Sequence, residues 1–233
     1  MKLFMMALMV LDHISPFIST ETAAIFHMLT RCVGVFFAYM SIEGLRYTRN
    51  QEKYLGRLWI AGVLMQGANL LLNQFIFAKE YAVHNNIFLT LAVGTTVLYF
   101  IQYMIQATSW QKRTLYTVAM IVMLLIGVFT EGGMVLLPFM IICYLCREKF
   151  ILRNILLVVF ALGLFFTSYV DYGNWHTTWV MLGMNSDFLF ITILPILGLY
   201  NGKPGNNHPS MKSLFYVFYP LHLYLIALLA TLS

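Results

Sequence analysis

Residues 150–170 read FILRNILLVVFALGLFFTSYV. From Ile155 to Phe166 no polar side chain interrupts the run. A helix on the surface of a soluble core keeps a polar stripe toward water, and this stretch has none. At ~1.5 Å per residue it is long enough to cross a hydrocarbon core of ~30 Å. In lipid, only helices and closed barrels satisfy every backbone N–H and C=O. Barrel strands are about ten residues long and alternate in polarity, which this run does not. The segment is therefore expected to be a membrane-spanning helix.

The same texture extends outward in both directions. The chain of 233 residues is 61% hydrophobic and 10% charged, against roughly 25% charged in a soluble domain. The expected fold is an all-α, polytopic membrane helix bundle of about nine transmembrane helices. They fall at 3–18, 23–46, 54–78, 83–105, 114–129, 133–146, 150–170, 184–200 and 212–232, in a single domain over 1–233. The fifth and sixth are short and meet at Thr130-Glu131-Gly132-Gly133, so a sunken hairpin there would leave eight crossings. The first run, Leu3–Phe17, carries Asp12 and His13 and lacks a small-residue cleavage site, so it is expected to be retained. Trp59 and Trp110 at inner ends, with Trp175 and Trp179 at an outer end, read as interfacial anchors.

Lys and Arg set the expected orientation. Lys2, Arg46, Arg49, Lys53, Arg57, Lys112, Arg113, Arg147, Lys149, Arg153, Lys203 and Lys212 fall on one side, and Lys79 alone on the other. The positive-inside rule makes the first side cytoplasmic, so the N-terminus is expected in the cytoplasm of a multi-pass cell-membrane protein, a bacterial cytoplasmic membrane fitting best. These short basic clusters between apolar runs form no continuous basic face, so nucleic acid is not an expected partner. Cys143 and Cys146 form a CxxC with no second pair, which reads as packing; no metal is expected.

Arg31 is the one basic residue left within an apolar run, where a charge costs at least about 2.5–3.5 kcal/mol and demands a partner. Counted at ~1.5 Å per residue from the span ends, Asp12, His13, Arg31, Gln66 and His222 lie at one depth although four helices supply them. Adjacent residues point ~100° apart on a helix, so Asp12 is expected to face Arg31 or His222 and not His13. Structural hydrogen bonding between helices is the alternative for Asp12 with Arg31. Histidine is an unusual choice for that purpose, and it suits proton transfer near neutral pH. His27, His84, Asn85, Asn86, Glu131, Asp171 and Asp187 gather at the outer ends. Most of them read as ordinary wet surface; Asn86 is retained as a candidate.

The segments Ala7-Leu-Met-Val-Leu-Asp12-His13, Arg31 to Phe37, Arg57-Leu58-Trp59 with Gln66, Asn86-Ile87-Phe88, and Phe215-Tyr216 with Tyr219-Pro220-Leu221-His222-Leu223 resemble the TraX family. The resemblance runs along nearly the whole chain, but spans five to eight match in hydropathy alone. That family is known for the acetylase of the conjugative pilin N-terminus. It is similar to the broader transmembrane acyltransferases, which carry acyl groups from cytoplasmic acyl-CoA to acceptors outside. Sugar-modifying members of that group often carry an Arg, ten residues, then a His in the first helix; here Lys2 and His13 have that spacing with Lys in place of Arg, so whether Lys2 touches the CoA is open.

The resemblance implies acyl transfer from acyl-CoA, most simply acetyl-CoA, to an extracytoplasmic acceptor such as a protein N-terminus or a glycan. In that reading His13 is the candidate base. Arg31 paired with Asp12 orders the site or stabilises the oxyanion, and His222 binds the thioester or relays the proton. Gln66 and Asn86 are candidate substrate ligands, and Arg46, Arg49, Lys53 and Arg57 are candidates for the CoA phosphates. A proton-coupled transporter or channel is the main alternative and a structural membrane subunit the third. Transporters tend to have internal repeats and helices broken by Gly or Pro, and the sequence shows neither apart from Pro16, Pro138, Pro195 and Pro220.

Overall fold

The computed structural model describes residues 1–200 and 209–233, with side chains in the second stretch from 214 onward. Lys203 and the side chain of Lys212 lie outside the described residues. All regular structure in the described residues is helical. The helices are α1 (Lys2–His13), α2 (Thr20–Tyr47), α3 (Gln51–Phe75), α4 (Ile87–Gln106) and α5 (Trp110–Gly127). They continue as α6 (Gly133–Leu145), α7 (Phe150–Ser168), α8 (Trp175–Met184), α9 (Ile193–Gly198) and α10 (Pro209–Leu232).

Among the described residues, five helices are long and apolar enough to cross a membrane: α2, α3, α4, α7 and the Leu214–Leu232 part of α10. A sixth is formed if α8 and the Asp187–Gly198 segment, bent by 60° between them, count as one span. The other three expected spans coincide with helices that do not reach that length or apolarity. Helix α1 has 12 residues, ~18 Å at the usual rise. The expected span 3–18 ends early because Pro16 cannot donate to a continuing helix and disfavours helical backbone at Ser15. Residues 15–17 instead make a 3₁₀ turn. The first turn of α5 is Trp110-Gln111-Lys112-Arg113, which uses up part of its 18 residues on polar side chains. Helix α6 has 13 residues. The expected span 184–200 also differs: its helical structure begins at Trp175 and breaks at Asn185-Ser186, before Asp187.

The chain divides into two compact units. The first comprises 1–36, 69–83 and 154–233; the second, 37–68 and 84–153. In the first, α1 packs on α10, burying Met5, Met6 and Met9. Tyr224 of α10 donates to Asn69 Oδ1 at 2.8 Å, and Ala78 N–H donates to Thr231 Oγ1 at 3.2 Å. The Asn73 side chain clamps Val83 through both its amide and carbonyl, at 2.9 and 2.8 Å.

In the second unit, α4 is the hub, packed by α5 and α6. Its buried Thr95 and Thr96 hydroxyls donate to carbonyls one turn back, at 2.6 and 2.7 Å, which removes polar groups from the core without interrupting the helix. Trp59 also donates to Thr96 Oγ1, at 3.0 Å. The polar link between α5 and α6 is held where the sequence placed it. Gly132 has φ 63°, the left-handed region that favours glycine, and a Cβ on Gly133 would collide with the Gly127 carbonyl. Thr90 donates to the Glu131 carbonyl at 2.7 Å, and Asn85 donates to the Glu131 carboxylate at 2.8 Å.

Candidate functional site

The end of α1, the His27–Arg31 stretch of α2 and the break after α8 bring five polar side chains together in the first unit. Asp12 is the last residue but one of α1. Arg31 Nη2 donates to both of its carboxylate oxygens, at 3.0 and 2.8 Å. Thr30 donates to Asp12 Oδ1 at 2.7 Å, and His27 Nδ1 lies 3.0 Å from the same oxygen. Arg31 Nη1 donates to Asp187 Oδ1 at 3.1 Å, and Arg31 Nε to the His27 carbonyl at 3.0 Å. The guanidinium thus makes charge-assisted bonds to two carboxylates, the arrangement a cation in an apolar surround requires. Asp12 and Arg31 side chains are 20% and 19% exposed, so the pair is largely desolvated, whereas Asp187 is 47% exposed.

His13 points the other way. Its ring lies 5.4 Å, centroid to centroid, from that of His222 on α10. His222 is buried between Phe218, whose ring stacks on it at 5.0 Å, and Tyr219, edge-on at 5.7 Å. His222 Nδ1 lies 2.9 Å from the Phe218 carbonyl, which can only accept, so Nδ1 carries the proton. Its Nε2 is then an unprotonated acceptor, and it is buried with no hydrogen-bond partner among the described residues. Of the two partners expected for Asp12, Arg31 and His222, it is Arg31 that pairs with it, while His13 meets His222, in keeping with the ~100° step between neighbours.

Gln66 and Asn86 belong to the second unit and meet each other there. Asn86 is 3% exposed. Its Oδ1 caps α4 by accepting from Leu89 N–H at 3.3 Å, and its amide donates to the Gly62 carbonyl at 2.9 Å and to Gln66 Oε1 at 3.2 Å. A cap of this kind contributes about 1 kcal/mol to helix stability, so Asn86 already has structural work.

The four basic residues expected to act together divide into two sites. Arg49, Lys53 and Arg57 lie four residues apart on one face of the chain entering α3 and line a cavity of about 570 Å³ with Thr48 and Asn50. Asn50 Oδ1 accepts from Lys53 N–H at 2.8 Å, capping the start of α3 beside this cavity. Arg46 does not join them. It sits on the last turn of α2, 3.9 Å from Glu43 and over the Tyr47 ring, and lines a separate cavity of about 300 Å³ with Gln51, Gln102 and Arg147.

His27, Thr30 and Asp187 are the residues that reasoning from sequence placed elsewhere or passed over. His27 and Asp187 read as wet surface because they lie near expected span ends. The spacing His27/Arg31, four residues apart on one helix, was the available signal, since it puts both side chains on one face.

Among the described residues, all-helical regular structure with five or six membrane-length helices, and an arginine locked between carboxylates beside three histidines, define a multi-pass membrane protein with a built polar centre. The chain belongs to the TraX family, whose family model, TraX protein, matches residues 1–230. No curated protein and no solved structure matches it.

Proposed function

We propose that this protein is an acyltransferase that moves an acyl group, most simply acetyl, from cytoplasmic acyl-CoA to an amine or hydroxyl acceptor at the outer face. Membership of the TraX family supports the reaction class. The observation that carries the reading is the pairing of His13 with His222 beside the locked Asp12–Arg31 pair. Acyl transfer from a thioester requires a proton to leave the acceptor and one to reach the departing thiol, together with a positive group near the developing oxyanion. His13 and His222 supply acid–base groups, and Arg31 supplies fixed positive charge. A pilin-like N-terminus or a surface glycan fits the acceptor, and Gln66 is a candidate acceptor ligand. Asn86 keeps Gln66 in place.

The donor's phosphates are assigned to Arg49, Lys53 and Arg57, whose side chains share one cavity and none of which pairs with a carboxylate among the described residues. Arg46 is a weaker candidate because Glu43 already faces it. Measuring acetyl-CoA turnover by the purified protein in detergent tests the whole reading. In that assay Arg49→Gln with Arg57→Gln should raise the donor KM, each lost contact costing about 1.5 kcal/mol, or tenfold. An unchanged KM would return these arginines to a role in topology alone.

The reading also requires the N-terminus and this cavity to be cytoplasmic, with about nine crossings. In a protein with its three native cysteines replaced, Asn50→Cys should resist an impermeant thiol reagent in intact cells and Thr20→Cys should react. Labelling of position 50 from outside would reverse the orientation and remove the cytoplasmic donor.

One observation favours the transporter reading. The 60° break between α8 and the Asp187–Gly198 segment puts a carboxylate at a discontinuous helix, a feature of transporter binding sites. Proton uptake into liposomes without acetyl-CoA turnover would decide for it.

A further inference from the structure

The Asp12–Arg31 centre has a third histidine, and its geometry differs from that of the other two. His27 Nδ1 is 3.0 Å from Asp12 Oδ1 and 3.1 Å from Arg31 Nη2. Only one of these contacts can be a hydrogen bond of Nδ1. A carboxylate paired with a guanidinium accepts and does not donate. Were Nδ1 unprotonated, its lone pair would face that of Asp12 Oδ1 at hydrogen-bond distance, which is repulsive. With the proton on Nδ1, Asp12 Oδ1 accepts from His27, Thr30 and Arg31 together. The tautomer is thereby set, and Nε2 carries the lone pair. No described residue bonds to that nitrogen, and the side chain is 27% exposed.

A carboxylate that holds one imidazole nitrogen as a donor, leaving the other as a reachable acceptor, is the arrangement that makes histidine a general base. His13 has no such carboxylate partner, and His222 is oriented by a backbone carbonyl and buried. His27 also lies two turns into α2 from the loop joining α1 and α2. The charge asymmetry puts that loop on the acceptor's side.

We infer that His27 is a further catalytic residue, the base that deprotonates the acceptor, held for that role by Asp12. This rests on the acyl-transfer reading and assigns acceptor deprotonation to His27, leaving the leaving thiol to the His13–His222 pair. The acceptor's N–H or O–H proton passes to His27 Nε2 as its heteroatom bonds to the acyl carbon. The C–S bond then breaks with its electron pair on sulfur, and the thiolate takes a proton from the His13–His222 pair. His27 releases its proton to solvent and the pair regains one. The net change is acyl–S–CoA plus acceptor–H to acyl–acceptor plus HS–CoA.

The test is His27→Asn in the full-length protein. Asparagine Nδ2 can stand where His27 Nδ1 stands and still donate to Asp12, but it has nothing in the place of Nε2. CoA release from acetyl-CoA is followed with water as acceptor and, after subtraction of the uncatalysed rate, with hydroxylamine, which attacks as a neutral amine without prior deprotonation. The expected result is a loss of ~10²-fold or more with water, a much smaller loss with hydroxylamine, and an unchanged donor KM and melting temperature. Wild-type turnover of His27→Asn with water would overturn the inference, because a donor to Asp12 would then be all that the position supplies. An equal loss with both acceptors would overturn it too. If His27→Asn does not purify, His27→Ala is assayed with added imidazole, and absence of any recovery overturns it. Failure of the wild type itself to consume acetyl-CoA is a separate outcome, and it removes the acyl-transfer reading on which the inference stands.

Discussion

His13→Ala is expected to lose most transfer activity, roughly 10²–10⁴-fold in kcat, while the protein still purifies as a single species and binds CoA. His13 ends a helix that is anchored by Met5, Met6 and Met9, and its side chain makes no hydrogen bond that folding would miss among the described residues. Its near neighbour is the His222 ring, 5.4 Å away. Removing an imidazole from that position deletes an acid–base group and leaves the Asp12–Arg31 pair untouched. Turnover with acetyl-CoA, read beside a thermal melt, checks both halves of the expectation. An active His13→Ala would remove the histidine pair from the mechanism. A variant that does not fold would make His13 a packing residue.

Asp12→Asn, one residue away, is expected to behave in the opposite way. Its carboxylate accepts from Arg31, His27 and Thr30, and the amide of asparagine accepts through one oxygen only. Losing one member of a desolvated ion pair costs about 3–5 kcal/mol when the partner is left without counter-charge. Here Arg31 keeps Asp187, so the lower end, about 3 kcal/mol, is expected. For a chain that melts cooperatively this is a drop in Tm of several degrees, together with loss of activity because His27 loses the carboxylate that orients it. A melt equal to wild type would show that Asp187 alone holds Arg31. Full activity would detach the ion pair from the chemistry.

Much of this centre was legible beforehand, for a reason that lies in lipid. A cation inside an apolar run must find a carboxylate, and Asp12 was the nearest in depth to Arg31. The same depth argument put His13 and His222 at one level but did not pair them, and it offered His222 as an alternative partner for Asp12. That argument treats each span as straight and unbroken, and it fails where spans break. Helix α1 stops at His13, and the α8 segment bends before Asp187, so distances counted from span ends put His27 and Asp187 on the outer surface. Both touch the ion pair, Asp187 while 47% exposed, and depth alone does not give that contact. The basic quartet failed for a different reason. Arg46 ends α2 while Arg49 begins the approach to α3, and the change of direction between two helices separates side chains that are three residues apart.

What sequence alone determined, then, is the medium and the class of structure. A chain with this many unbroken apolar runs can satisfy its backbone in lipid only as helices, and any ionised group within them must be paired. Those two constraints act on composition and spacing, and they need no coordinates. Which partner each polar group takes was decided by tertiary structure. It depends on where helices stop and bend, and on which face each presents. The result is that Asp12 holds Arg31 and His27 together, that His13 turns to His222, and that Asn86 caps α4 while it holds Gln66. Hydropathy does not carry that information, because a one-residue step turns a side chain by ~100° without changing the apolar character of the run.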